Sequence, residues 1–514
     1  MSSDIAPGTR AGAREWAGLA VLALPVLLMA IDNSVLFLAM PHLSADLEPS
    51  GTQLLWIMDV YGFMVAGFLL TMGALGDRFG HRRLLLIGAA AFGVASALAA
   101  YSTSPEMIIA ARALLGVAGA ALAPPALALI STMFTNTGQR ATAVGVFTAC
   151  FMGGAAFGPV VGGVMLERFW WGSVFLLGIP VMVLLLVAGP LLLPEHRGTS
   201  AGGRVDPLSV LLSLAAIIPI IYGLKELAED TGRPTPYLSI AAGLAVGALF
   251  AARQNRLDDP LLDLRLFRGR SFTAAMVILL FVMIMQGGIY FFVSQYLQTI
   301  EGFSPLRAGL WLMAPALALG AMSLATPALA RRYRPGVIVG TGLTVSAAGI
   351  LLVAFADSRA LVIVGLVIAF LGAAPVSVLG LNLVVNAAPA GRTGSASAMA
   401  ESSGEFGVSL GVAVLGSVGT AVYQASMDVP PGAPAASADS VNAAVSAAGN
   451  LPERLAGTVI ANAHDAFMDS LAAVAVTSAV MMLLLAAVSL TLLRSIRPLG
   501  EEESEEQPDA VPAR

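Results

Sequence analysis

Charge is what this sequence has least of. Only 11% of its 514 residues are Asp, Glu, Lys or Arg, against 57% that are hydrophobic, and the mean hydropathy is +0.84. A water-soluble globular domain carries about 25% charged residues, so the composition excludes that class. Lysine is almost missing: Lys225 stands alone among 27 basic residues. A phosphate-cradling loop of the Gly-x-x-x-x-Gly-Lys type needs a lysine in a glycine frame that this chain lacks, which excludes ATP-driven transport by the chain alone. Cys150 is the one cysteine, so no intrachain disulfide can form. The four histidines, His42, His81, His196 and His464, have no ligand spacing, and no metal site is expected. A net charge of −5 gives no reason to expect nucleic acid.

What the chain has instead is long apolar runs. Segments of membrane-crossing length fall at about 16–40, 54–75, 84–104, 106–130, 140–165, 172–193 and 207–224, then 236–252, 272–298, 307–330, 336–356, 360–388, 395–423 and 467–493. Fourteen crossings predict an all-α polytopic membrane protein. The segment 236–252 is short for a full crossing, whereas 272–298 and 360–388 are long enough to tilt. The first run is longer than a signal-peptide core and reads as the first span, entered at Trp16. With the N-terminus placed in the cytoplasm, twenty basic residues fall in cytoplasmic segments and six in external ones, so both termini are expected inside. The longest external connection, 425–464, is rich in Ala, Ser, Pro and Gly and reads as a passive loop. The tail 499–514, with its glutamate run, is expected to be disordered.

Five charged residues interrupt the apolar runs. Asp32, Asp59, Glu401 and Glu405 lie inside predicted spans, as does Arg112. Each costs roughly 2.5–3.5 kcal/mol on insertion scales, so each needs a partner, a watery cavity or, for an acid, a proton. Packing alone could explain one such residue, but a set of four acids points to ion or substrate translocation. Counting along the spans puts Asp32, Asp59 and Arg112 at similar depth, where pairing is possible, though the count does not choose the acid. Glu401 and Glu405 are four apart, hence on one helical face, where like charges should share protons. For Glu405 a plain wet helical face remains a competing reading.

Glycine patterns mark the helix contacts. The first cytoplasmic hairpin contains Gly73, Gly76, Asp77, Arg78, Gly80, Arg82 and Arg83, with Asp77 placed to accept N–H groups at a helix start. A degraded copy, Arg331-Arg332-Tyr333-Arg334, recurs half a chain later with an arginine in place of the acid. The fifth span holds Gly154, Gly158, Pro159, Gly162 and Gly163. Taken alone these are packing residues and a kink.

Taken together the strings resemble the major facilitator superfamily, and within it the fourteen-span drug–proton antiporters of the QacA/SmvA/LfrA group. The hairpin matches the superfamily's cytoplasmic signature, Arg112 with Gly116 its fourth-span motif, and Gly158-Pro159-x-x-Gly162-Gly163 the motif that distinguishes antiporters. Ile31-Asp32-Asn33-Ser34, Trp56-x-x-Asp59-x-Tyr61, Trp170-Trp171 and Gln295-Tyr296-Leu297-Gln298 with Ser304-Pro305 and Gly309 also recur in that group. The resemblance implies an N-terminal six-helix bundle over 1–193, two additional helices with flanking segments over 194–265, and a C-terminal bundle over 266–498. It implies proton-coupling or substrate roles for Asp32, Asp59, Arg112, Glu401 and Glu405. Conformational roles fall on the hairpin residues Gly73, Asp77, Arg78, Gly80, Arg82 and Arg83, whose acid and basics latch the two halves, and on the fifth-span glycines. The implied activity is proton-coupled export of amphipathic, mainly cationic compounds across a bacterial cytoplasmic membrane. It needs no cofactor beyond the proton gradient, no enzymatic step, and no partner beyond substrate, proton and bilayer, with the monomer as the working unit. A dedicated exporter of one natural product or lipid would share these motifs; a membrane-embedded enzyme would need a catalytic loop that is not seen. One departure is Gly320-Ala321, where some members of the group carry a further acid.

Overall fold

The computed structural model describes residues 11–195, 206–229, 232–257, 260, 264–386, 393–449 and 451–492. The acidic tail 499–514 lies outside the described residues. Among the described residues every regular element is helical. An apolar chain in lipid must satisfy its peptide groups within each segment, and a helix does so.

The chain opens with α1 (Ala13–Leu47), α2 (Gly51–Phe79) and α3 (His81–Ala100). Next come α4 (Pro105–Ala120), α5 (Ala123–Met133) and α6 (Thr137–Arg168). A single turn, α7 (Ser173–Leu176), leads into α8 (Gly178–Leu192), followed by α9 (Pro207–Glu229) and α10 (Pro234–Gln254). Then α11 (Arg270–Gln295) passes into a π-helical turn (Tyr296–Ile300) and α12 (Pro305–Ala330). The remainder is α13 (Pro335–Ala354), α14 (Arg359–Asn386), α15 (Thr393–Ser426), α16 (Val441–Ala448) and α17 (Glu453–Leu492).

Thirteen of the predicted crossings are long and apolar enough to span a bilayer among the described residues. The fourteenth is a shorter apolar stretch, Leu208–Leu224, within α9. The short crossing is therefore the first of the two additional helices. The segment 236–252, read as too short, belongs to the 21-residue α10.

Local chemistry sets the helix ends. Ser50 Oγ accepts from Gln53 N at 3.2 Å and Gln53 Oε1 accepts from Ser50 N at 3.0 Å, a reciprocal cap at the start of α2. Ser104 and Asn136 cap α4 and α6 in the same sense. Gly80 joins α2 to α3 at φ 99°, a conformation that the absent Cβ permits. The predicted fourth span breaks between α4 and α5. Pro124 and Pro125 supply no N–H, and Ala121 and Leu122 close instead onto Ala118 O (3.1 Å) and Gly119 O (2.9 Å).

The described chain divides into two compact units. The first comprises Met1–Leu261, Ser294–Met313 and Met427–His464. It holds α1–α10, the π-helical turn and α16. Within it α9 and α10 form a hairpin whose crossing is set by glycines: an added Cβ at Gly243 would meet Ala216 O at 2.6 Å. Its ends are clasped by Asp206, which accepts from Arg253 Nε (2.8 Å), Arg253 Nη2 (3.0 Å) and Ser209 Oγ (2.6 Å). These bonds hold the Asp206 carboxyl down at about 2, Arg253 being the main cause.

The segment 425–464, read from its composition as a passive loop, carries regular structure. It contains a 3-10 turn (Ala435–Ala438), then α16 capped by Ser440, and the first turns of α17. Asn442 on α16 donates to Gln295 Oε1 at 3.3 Å, and Thr299 Oγ1 lies 3.3 Å from Asn442 Oδ1. Alanine, the residue that made this segment look featureless, is also the strongest helix former.

The second unit comprises Leu262–Val293, Ala314–Ser426 and Asp465–Arg514. There α11 and α15 approach backbone to backbone at Gly287, Gly407 and Gly411, and α13 meets α14 at Gly342 and Gly372. Ser489 Oγ on α17 donates to Gly336 O at 3.0 Å.

Candidate functional site

Asp32 sits in the middle of α1 and Arg112 in the middle of α4. The side chains pair directly: Arg112 Nη1 donates to Asp32 Oδ2 at 2.8 Å, and both are largely buried, at 1% and 7% side-chain exposure. Arg112 Nε donates to the Ile57 carbonyl at 3.3 Å, and its guanidinium carbon lies 4.6 Å from the centre of the Tyr61 ring. One cation therefore ties α1, α4 and α2 together. Asp59, two residues beyond Ile57 on α2, is fully buried. The sequence left the partner of Arg112 open, and the structure pairs it with Asp32.

The glycines explain how Arg112 reaches its partners. An added Cβ at Gly116, one turn beyond Arg112, would strike the carbonyl of Tyr61, and one at Gly119 would meet the Tyr61 hydroxyl at 3.0 Å. Only a bare backbone lets α4 lie this close to α2, which delivers the guanidinium to Ile57 and Tyr61. The fifth-span motif does the same for α1. A Cβ at Gly154 would strike Leu27 O, one at Gly158 would strike Ser34 Oγ, and one at Gly162 would meet Val35 at 2.6 Å. The three glycines thus form a ladder along the turns of α1 that flank Asp32. Beyond them, Gly163 abuts Leu306, and Gly309 abuts the carbonyl of Pro159. Ser304-Pro305 and Gly309, noted separately in the sequence, pack on the Pro159–Gly163 end of α6.

The hairpin residues lie elsewhere in the first unit. Arg82 Nη2 stands 2.7 Å from Glu195 Oε2, and Arg83 Nε 3.6 Å from Glu195 Oε1. Arg82 Nη1 also donates to Leu193 O (2.9 Å) and Pro190 O (3.4 Å), while Arg14 Nη2 donates to Leu191 O at 2.8 Å. The last carbonyls of α8 have no partner of their own in the helix, and the two arginines take them. Gly73 and Arg78 lie on α2, with Arg78 exposed. Asp77 is not at a helix start: α2 continues through Phe79, so Asp77 falls within its last turn, and its side chain lies outside the described residues. Glu195 is the functional candidate the sequence reading missed. Its position just after Pro194, at the end of a span and opposite a basic hairpin, was the available signal.

On α15, Glu401 is exposed and Glu405 half-buried. Neither carboxylate pairs with a cation among the described residues. Gly407 and Gly411, on the following turns, pack against Met283 and Ile284 of α11. Ala321 is exposed on α12.

The Major Facilitator Superfamily sequence model matches residues 22–412. The chain belongs to that superfamily. Among superfamily proteins it is 42% identical to the multidrug efflux pump LfrA of Mycolicibacterium smegmatis, over 93% of this chain and 96% of that one. It is 34% identical to the methyl viologen resistance protein SmvA of Salmonella typhimurium, over 93% and 98%, respectively. The tetracenomycin C resistance and export protein of Streptomyces glaucescens is 32% identical over 99% and 96%. A bacterial homologue of the human lysosomal transporter Spinster shares the fold, with a TM-score of 0.65 at 14% identity over 98% of this chain. The chain is a multi-pass protein of the bacterial cytoplasmic membrane.

Proposed function

We propose that this major facilitator protein is a multidrug efflux antiporter that exports amphipathic, mainly cationic compounds in exchange for protons. The observation that carries the reading is the buried pair of Asp32 and Arg112 within the membrane-crossing helices. Ionised, Asp32 places a negative charge among the helices, where the Arg112 guanidinium holds it. In an apolar wall that charge is costly, and either a proton or a bound organic cation can offset it. Proton and substrate then compete for the same charge without having to touch the same atom. Deprotonation from the cytoplasmic side restores the field that draws in the next cation, and protonation from outside releases it. Glu405, with Glu401 one turn away, offers a further protonatable position on α15.

The gradient supplies the energy, so no cofactor and no enzymatic step enter the cycle, and one chain suffices. Both termini lie in the cytoplasm under this reading. LfrA is named a multidrug efflux pump, which supports the same substrate breadth. The similarity to the tetracenomycin C exporter supports a second reading, export of one natural product. The two differ in competition: unrelated organic cations inhibit one another's transport in a multidrug pump and do not in a dedicated exporter.

The test is uptake of a cationic dye by inverted vesicles under an imposed pH gradient, with Asp32→Asn beside the unmodified protein at matched membrane abundance. Asparagine keeps the size and a hydrogen bond to Arg112 but cannot exchange a proton. Transport should be abolished, and gradient-driven uptake at the unmodified rate would overturn the proposal.

A further inference from the structure

A groove of about 350 Å³ runs along the second unit between α12, α13 and α14. Leu329, Val337, Val345, Leu371 and Pro375 line it, and Val337, Val345 and Leu371 are exposed at its rim. Its floor is bare backbone, where Gly342 and Gly372 bring α13 and α14 together. The Thr341 hydroxyl along the wall is turned onto its own helix and donates to Val337 O at 2.8 Å. The walls therefore offer a guest almost nothing polar.

The mouth is different. Tyr333 closes one end, 57% exposed, and the α12–α13 turn presents Arg331, Arg332 and Arg334 at the surface. The sequence contains no acid between Glu301 and Asp357, and α14 contains none. This is the degraded copy of the hairpin, in which an arginine stands where the first copy has Asp77. The replacement removes the acid that would offset the turn's charge.

We propose that this groove is a binding site for an anionic phospholipid of the cytoplasmic leaflet, with one acyl chain between α12, α13 and α14 and the phosphate on Arg331 and Arg332. From Val337 to Val345 the groove extends about 12 Å along the helix, close to the roughly 15 Å depth of one leaflet's hydrocarbon. Tyr333 marks the headgroup level, where an amphipathic ring is most stable. Guanidinium groups match a phosphodiester by charge and by planar donor geometry. The basic bias of the chain assigns this turn to the cytoplasmic face, where anionic lipid is bound from the inner leaflet.

The experiment uses the full-length protein in detergent, titrated separately with phosphatidylglycerol and phosphatidylcholine, with bound lipids counted by native mass spectrometry. The unmodified protein should hold one phosphatidylglycerol more tightly than phosphatidylcholine. Arg331→Gln with Arg332→Gln should weaken phosphatidylglycerol by roughly thirtyfold and leave phosphatidylcholine unchanged. Val345→Trp fills the groove and keeps every charge, so it stays informative if the arginine variant fails to insert; it should weaken both lipids. Equal affinity for the two lipids in the unmodified protein overturns the proposal. So does phosphatidylglycerol retention that survives Val345→Trp, since that would put the lipid on the arginines without the groove. Displacement of the lipid by a cationic dye at the same stoichiometry also overturns it, by making the groove an entry port for substrate.

Discussion

Arg112 lies with its guanidinium 4.6 Å from the centre of the Tyr61 ring while Nη1 holds Asp32 at 2.8 Å. The arginine thus faces an anion, a peptide carbonyl and a π surface at once. A planar fork has directions for all three; an ammonium, a compact point charge, does not.

Arg112→Lys should therefore impair transport although the charge is kept. Losing one charge-assisted hydrogen bond is worth about 1.5–3 kcal/mol, on the order of a ten- to hundredfold effect. Dye transport in proteoliposomes at matched protein content measures it, and full activity would show that charge alone suffices.

Glu401 and Glu405 should not behave alike. Glu405 is half-buried and Glu401 exposed, so neutralising Glu405 removes the carboxylate whose charge is felt more strongly within the bundle. Glu405→Gln is expected to lower proton-driven transport several times more than Glu401→Gln. Equal and negligible losses would relegate both to a solvated helical face.

At the α2–α3 hairpin, Arg82 and Glu195 make unequal contributions. Glu195→Gln breaks a partly exposed ion pair and should cost about 0.2–1 kcal/mol. Arg82→Ala also leaves the carbonyls of Pro190 and Leu193 without their donor and should cost about 1–3 kcal/mol. Thermal unfolding in detergent ranks the two. The reverse order would mean that the ion pair, and not the capping of α8, holds this corner.

The clasp on the additional helix pair gives a pH signature. Asp206 is held at about 2 by Arg253, below the ordinary carboxylate value near 3.9. A depressed acid contributes stability that is present above its unfolded value and disappears as the pH falls through its folded one. Asp206→Asn should accordingly lower the melting temperature at neutral pH, and the gap to the unmodified protein should close between about pH 4 and pH 2. A gap that persists unchanged at pH 2 would assign the effect to packing.

Much of this architecture was legible because lipid leaves the backbone few choices. Length and hydropathy locate the crossings, and an acid inside such a run marks itself. The Asp32–Arg112 pairing was not legible: which acid an arginine takes depends on helix contacts set by Gly116 and Gly119, and spacing along the chain does not encode them. Glu195 was missed because it lies past the end of a span, in a stretch read only as a boundary. The 425–464 segment was misread for a different reason. Its alanines and serines are as compatible with a short helix as with a loop, and Ser440 with Asn442 decides the outcome through a cap and a distant contact with Gln295.

Gly154, Gly158 and Gly162 strip side chains from the α6 side of its contact with α1, so Ser34 and Val35 rest on bare backbone. Side chains are the compliant part of a helix interface, since they can change rotamer and absorb a displacement of an ångström or so. An interface with side chains on one face only has less such give. A shift of the Asp32 turn is therefore expected to pass with little damping to the Pro159–Gly163 end, where Gly309 and Leu306 rest. A single alanine in that ladder should loosen the transmission before it disturbs the Asp32–Arg112 pair.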